Sequence, residues 1–272
     1  MSQAPTWIDS HCHLQDPAFA ADRDTRYQEA VDAGVAMIIP GYSLRSSQEA
    51  VDLARRWGWA RALVGVHPHD SAEAAGPWLE QLQAWCGEPL VVGIGEIGLD
   101  YYRDLAPRDR QREAFAQQLA LARGLHLPVS VHAREAWDDL LALVRESGWR
   151  RGVLHCFTGT REHAAALLDW GFYLSFAGPI TFRRADALRE VVRWAPLDRI
   201  LVETDAPYMA PHPHRGHVNR PLWVRHTAEM VAATKNLPPK EVFRRLVSNT
   251  CELFCLWETG GKGGDRRPAP EV

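Results

Sequence analysis

Short runs of apolar, β-branched residues alternate along the chain with longer stretches whose apolar positions recur at helical spacing. The short runs are Trp7–Asp9, Ala36–Pro40, Ala62–Val66, Leu90–Gly95, Pro128–Val131, Gly152–Leu154, Phe172–Phe176 and Arg199–Glu203. The helical stretches include Ser46–Trp57, Pro107–Gly124, Ala133–Ser147, Arg161–Trp170 and Asp186–Trp194. Two more, Trp223–Thr234 and Pro239–Phe254, follow the last strand. Pro107 opens one helix and Gly124 closes it, and Gly34, Gly148 and Gly171 punctuate other helix ends. Eight such βα units in 272 residues predict an α/β protein of the (β/α)8 TIM-barrel type. An open doubly wound sheet would carry a Gly-rich phosphate loop after its first strand. Here strand one runs instead into Ser10-His11-Cys12-His13. No linker interrupts the pattern, so one domain is expected over residues 1–258. The Gly- and Pro-rich residues 259–272 are expected to be a disordered tail.

Composition narrows the function classes. With 46% hydrophobic and 24% charged residues the chain reads as an ordinary folded protein. A net charge of −3 excludes a general basic coat, so any nucleic-acid binding must come from a local site. Lys235, Lys240 and Lys262 are the lysines among 31 cationic residues. The rest are arginines, whose forked guanidinium suits phosphate. The longest uncharged stretch, Trp170–Phe182, is too short to span a membrane, and residues 1–7 lack the features of a signal peptide. Five cysteines, an odd count in a chain of this size, suggest reduced thiols and a cytoplasmic protein; a monomer is expected.

The chemistry lies at the strand ends, which converge at one mouth in a barrel. Strand one ends in His11-x-His13 and strand three in His67-Pro68-His69. Strand four ends in Glu96 and strand five in His132. Strand six ends in His155 and strand eight in Glu203-Thr204-Asp205. Alternation along a strand puts Asp9, His11 and His13 on one face of theirs, and likewise Glu203 and Asp205 on one face of theirs. By the same rule Cys12 and Cys156 point away from the site as packing residues. The tryptophans, including Trp137, read as packing against the barrel. A cluster of imidazoles and carboxylates is costly to bury uncompensated, and a pair of divalent cations would compensate it. Arg134 lies two residues past His132 and offers a fork to an anionic group. His67, His69 and Asp100 are candidate substrate contacts at the same end; Arg103, Arg215 and Asn219 are weaker ones.

The same blocks resemble the signatures of the TatD family, metal-dependent deoxyribonucleases of the amidohydrolase superfamily. They are Asp9-Ser10-His11-Cys12-His13-Leu14, Gly65-Val66-His67-Pro68-His69, Gly95-Glu96-Ile97-Gly98-Leu99-Asp100-Tyr101, Val131-His132-Ala133-Arg134, His155-Cys156-Phe157-Thr158-Gly159 and Glu203-Thr204-Asp205-Ala206-Pro207-Tyr208. The resemblance covers residues 7–255. It implies His11, His13 and Asp205 on one metal, His132 and His155 on the other, and Glu96 bridging both. Manganese, magnesium or zinc would serve.

The expected reaction is hydrolysis of DNA phosphodiester bonds by a hydroxide shared between the metals. A mouth built from short loops is a pocket that favours single-stranded or frayed ends, the resemblance points to 3′–5′ exonuclease action, and the choice between DNA and RNA is left open by the sequence. Asp205 would act as ligand and general base, Arg134 would stabilise phosphoryl charge, and Glu203 is a further catalytic candidate. Two other readings stand beside it. One is ester or amide hydrolysis, such as deacylation of aminoacyl-tRNA, on the same dinuclear site. The other is a metal-stabilised binding scaffold. With no lysine before Lys235, a carboxylated-lysine bridge is excluded.

Overall fold

The structure, a computed structural model, describes residues 5–256. The tail expected over 259–272 lies outside the described residues, as do both ends of the expected domain. Eight strands run in chain order: β1 Trp7–Asp9, β2 Val35–Pro40, β3 Ala60–Val64, β4 Val91–Asp100, β5 Val129–Arg134, β6 Gly152–Leu154, β7 Tyr173–Phe176 and β8 Ile200–Val202. Each pairs in parallel with the next. The last edge meets the first through Ser10 N–H to Val202 O (3.1 Å), Asp205 N–H to His11 O (2.9 Å) and His13 N–H to Ala206 O (2.7 Å). The result is the TIM barrel that the alternating pattern predicts.

Helices α1 Arg23–Asp32, α2 Leu44–Arg56, α3 Trp78–Trp85, α4 Arg108–Gly124, α5 Trp137–Ser147, α6 Arg161–Asp169, α7 Asp186–Trp194, α8 Val224–Lys235 and α9 Pro239–Phe254 cover the outside. Strand parity sorts the core into two layers. Ile8, Ala36, Ile38, Leu63, Val153 and Leu201 gather inside the barrel, and Leu253, Phe254 and Leu256 at the end of α9 pack against them. The alternate positions, such as Val35, Met37 and Ile39, face the helices. The lower lumen is therefore packed, which leaves the C-terminal end for the polar cluster.

Two strands run longer than their apolar runs suggest. β4 continues to Asp100 and β5 to Arg134, so Glu96, Asp100, His132 and Arg134 are strand residues. β5's extension also delays α5, which starts at Trp137 and not at Ala133. Between Ile94 and Ile97 the register of β4 slips against β5, where Val129 and Val131 are the partners. This bulge at Gly95-Glu96 turns Glu96 to the barrel axis. β4 lies so close to β5 that a Cβ on Gly98, at φ +137°, would collide with the His132 carbonyl oxygen. Glycine is required there.

Candidate metal centre

Five imidazoles and two carboxylates meet at the floor of the mouth. Glu96 is central. Its Oε1 lies 2.8 Å from His155 Nε2, 3.1 Å from His132 Nδ1 and 3.3 Å from His67 Nε2. Its Oε2 lies 3.4 Å from His11 Nε2 and 3.5 Å from His13 Nε2. Asp205 completes the second set, its Oδ1 3.5 Å from His13 Nε2 and 4.0 Å from His11 Nε2. Each oxygen of one carboxylate thus faces its own group of imidazoles. Asp205 adopts φ +56°, a left-handed conformation rarely taken by a residue with a side chain.

The inward nitrogens fit cations. Those of His11 and His13 are 3.2 Å apart, as are those of His132 and His155. A shared proton bridges such a pair as an N–H···N hydrogen bond, and a cation can take that proton's place with both lone pairs turned toward it. Candidate ligand triads are His11, His13 and Asp205; His11, Glu96 and His155; and His67, Glu96 and His132.

The outward nitrogens decide which imidazole offers a lone pair. His155 Nδ1 lies 3.3 Å from Glu203 Oε1, His132 Nε2 lies 3.4 Å from Asp100 Oδ2, and His11 Nδ1 lies 3.3 Å from Ser130 Oγ. Each partner holds the ring by its outer edge and leaves the inner nitrogen for the site. His67 differs. Its Nδ1 accepts the His69 N–H at 3.2 Å, so the proton sits on Nε2 and is donated to Glu96. Burial lowers His67 to about 4, so the ring is neutral at neutral pH. In this tautomer His67 steadies Glu96 and is not itself a ligand.

The cluster is strongly polarised by its own charges. Burial opposes the charge on Glu96, but the surrounding histidines, His155 foremost, hold it well below its ordinary range. Burial also opposes protonation of His155, yet Glu96 and Glu203 raise it well above its ordinary value. His13 and His132 are raised against burial by carboxylates, and burial lowers His11. Asp205 is held low, against burial, by His13.

The other expected residues divide. Glu203 is fully buried behind His155. Its Oε1 accepts the Cys156 N–H at 2.6 Å and its Oε2 has no hydrogen-bond partner among the described residues. Asp100, expected to touch substrate, has its oxygens engaged: Oδ2 with His69 (2.8 Å) and His132, Oδ1 with the N–H groups of Tyr102 and Arg103. His69 and Arg134 line the mouth, a cavity of about 950 Å³. The Arg134 guanidinium stacks over Tyr102 at 3.9 Å. Two readings are corrected. Cys156 lines the mouth because the chain leaves β6 at Leu154 and turns at φ +42°, where strand parity no longer applies. Trp137 packs on Phe157 and His163, but it also borders the cavity. Sequence reasoning passed over Tyr42, Tyr208 and Met209, which also line the mouth. Tyr42 and Met209 are signalled only by position, past the ends of β2 and β8, while Tyr208 closes the Glu203–Tyr208 block with no role assigned to it.

Residues 8–255 match the family described as TatD related DNase. The "uncharacterized metal-dependent hydrolase YcfH" of Escherichia coli strain K12 is 41% identical over 263 residues, covering 91% of this chain and 95% of that protein. The "3′-5′ ssDNA/RNA exonuclease TatD" of Erwinia billingiae is 38% identical over 260 residues, covering 92% and 99%. The crystal structure of YJJV, a TatD homolog from Escherichia coli K12, superposes with a TM-score of 0.88 at 32% identity, covering 93% and 100%.

Proposed function

The chain belongs to the TatD related DNase family of metal-dependent hydrolases, and from that premise we propose that it is a 3′–5′ exodeoxyribonuclease with two divalent cations. The observation that carries this reading is the division of Glu96. One oxygen faces His11 and His13, the other faces His132 and His155. In the first position His11, His13, Asp205 and Glu96 would hold one cation. In the second, His132, His155 and Glu96 would hold the other. Bound there, the cations would supply charge stabilisation for phosphoryl oxygens and a more acidic water.

The chain's own groups do the rest. Asp205 Oδ1 faces His13; its other oxygen takes the proton of the attacking water. Arg134, swung from its stack on Tyr102, holds a non-bridging phosphate oxygen. The P–O3′ bond breaks in line, and the departing oxygen takes a proton from solvent through the open mouth. Asp100 and Glu203 position His132 and His155 and do not touch substrate. The floor lies at the base of a cavity, which admits a strand end more readily than the middle of a duplex. No described helix is long and apolar enough to cross a membrane.

The test is a digest of 5′- and 3′-labelled single strands beside the same strand closed into a circle, with manganese or magnesium. Loss of nucleotides from the 3′ end and resistance of the circle are expected. Equal degradation of circle and linear strand would refute the end-dependent reading. Preferential hydrolysis of a p-nitrophenyl ester over bis(p-nitrophenyl) phosphate would replace the nuclease reading with the esterase one.

A further inference from the structure

Charge is distributed unevenly around the mouth. Residues 170–185, which end in the β7 loop, contain no Asp or Glu, and neither do residues 206–228, which follow β8. These segments carry Arg183, Arg184 and Arg215, all exposed, together with the exposed His212 and His217. None of the three arginines is ion-paired among the described residues. Arginines on the outer helices are instead neutralised locally, as in Arg45 with Glu49, Arg108 with Asp104 and Arg110 with Glu113. Of the acids that line the mouth outside the ligand cluster, Asp70 and Glu135 follow β3 and β5, away from β7 and β8 in strand order, and Asp16 accepts from the Tyr208 hydroxyl at 2.9 Å. A net charge of −3 therefore conceals a local cationic lobe on one side of the site.

The two loops behave as one body. Arg215 lies over the Phe182 ring at 4.2 Å, and His212 N–H donates to Thr181 Oγ1 at 2.8 Å. A Cβ on Gly178 would collide with the Met209 carbonyl oxygen and come within 3.0 Å of Pro211 N, so the loops touch backbone to backbone. The fully buried Asn219 donates at 2.7 Å to both the Thr204 and Tyr208 carbonyls, which fastens the lobe beside Asp205. Burial lowers His214, and the neighbouring His226, His217 and Arg220 push the same way. The lobe starts at the cavity itself, where Tyr208 and Met209 are 53% and 41% exposed.

We propose that the β7 and β8 loops form a track for the sugar-phosphate backbone of single-stranded DNA, with Arg183, Arg184 and Arg215 contacting phosphates upstream of the terminal nucleotide. This inference rests on the nuclease reading and adds the path of the strand outside the mouth. The charge is complementary, the loops are braced against each other, and the track leads to the ligand Asp205. Exposed Tyr208 and Met209 supply an apolar surface for bases where the strand enters.

The test is binding of a fluorescent 12-nucleotide single strand, with phosphorothioate linkages to slow cleavage, to the metal-loaded protein at several salt concentrations. In R183Q/R184Q/R215Q the affinity is expected to fall by about 10- to 100-fold. The slope of log affinity against log salt should flatten by about 2, at ~0.7 per lost contact to a single strand. R183K/R184K/R215K should restore the slope, and an unchanged melting temperature shows that the glutamine variant is folded. On cleavable substrates, kcat/KM should fall more for a 12-mer than for a dinucleotide. A glutamine variant that binds with wild-type affinity and slope overturns the track, even if the wild-type protein degrades strands and the nuclease reading stands. A wild-type protein that binds through these arginines but cleaves no DNA supports the track and refutes the nuclease reading.

Discussion

Glu203→Gln separates a residue that positions a ligand from one that does chemistry. The Glu203 carboxylate is fully buried, and its Oε1 faces both the Cys156 N–H at 2.6 Å and His155 Nδ1 at 3.3 Å. Glutamine has the same shape and keeps an oxygen for Cys156, so the turn after β6 stays pinned. What is lost is the charge beside His155. At 3.3 Å that charge interacts with a cationic ring by about 5 kcal/mol at an effective dielectric of ~20. The amide dipole recovers part of this. Loss of a carboxylate behind a ligating histidine typically costs about 10- to 100-fold in metal affinity, or about 1.4–2.7 kcal/mol. We therefore expect metal affinity at the Glu96–His132–His155 position to fall by that factor, as measured by chelator competition. Activity should be recovered by raising the metal concentration. A second readout is pH. His155 is raised first by Glu96 and then by Glu203, so removing one partner lowers its hold on the proton. Proton competition with the metal should then begin at a lower pH than in the wild type. If the variant kept wild-type metal affinity and pH profile but lost hydrolysis at saturating metal, Glu203 would act on the reaction and the positioning argument would be refuted.

Arg134→Ala should lower kcat/KM for a single strand by about 10- to 100-fold, the equivalent of a ~1.5–3 kcal/mol charge-assisted contact, with metal content by elemental analysis unchanged. Unchanged turnover would leave Arg134 with its Tyr102 stack as its only role. Metal uptake by the metal-free protein should release protons at pH 7, because His155, His13 and His132 are all raised and must lose protons to ligate. Affinity should therefore climb as pH rises toward these raised values and then level off. Calorimetry in buffers of different ionisation enthalpy measures the release, and a buffer-independent heat would contradict the charge assignment.

Strand alternation is a partial guide at the strand ends. At β1 Ile8 and Ser10 face the lumen and the phase shifts by one residue after them, so His11 and His13 reach the site and Cys12 is buried in the outer core. At β6 the alternation fails, because the chain leaves the strand at Leu154 and Cys156 turns left-handed. β4 is read too short because its C-terminal half contains a glycine and two carboxylates, a poor match to an apolar run. Helices α1 and α3 leave weak traces for different reasons. α1 buries only Ala30, and α3 has eight residues behind Pro77. Neither can build the long amphipathic stripe that marks α2 or α9.

What cannot be read from one sequence is which atom of each residue faces the site, because that is set by partners distant in the chain. Asp9 shows this most clearly. Strand parity places it on the face of His11 and His13, where a count of carboxylates would add it to the ligands. In the structure its Oδ1 accepts the Thr204 N–H at 2.8 Å and its Oδ2 accepts the Thr204 hydroxyl. Burial raises it well above its ordinary range, against those hydrogen bonds. Asp9 therefore works across the barrel seam. It fixes Thr204, whose hydroxyl in turn accepts the Ala206 N–H at 3.1 Å. Asp205 lies between these two anchored residues, which accounts for its persistence in a left-handed conformation that would otherwise relax. The ligand is named by its place at a strand end, but its conformation is held by a carboxylate 196 positions earlier in the chain.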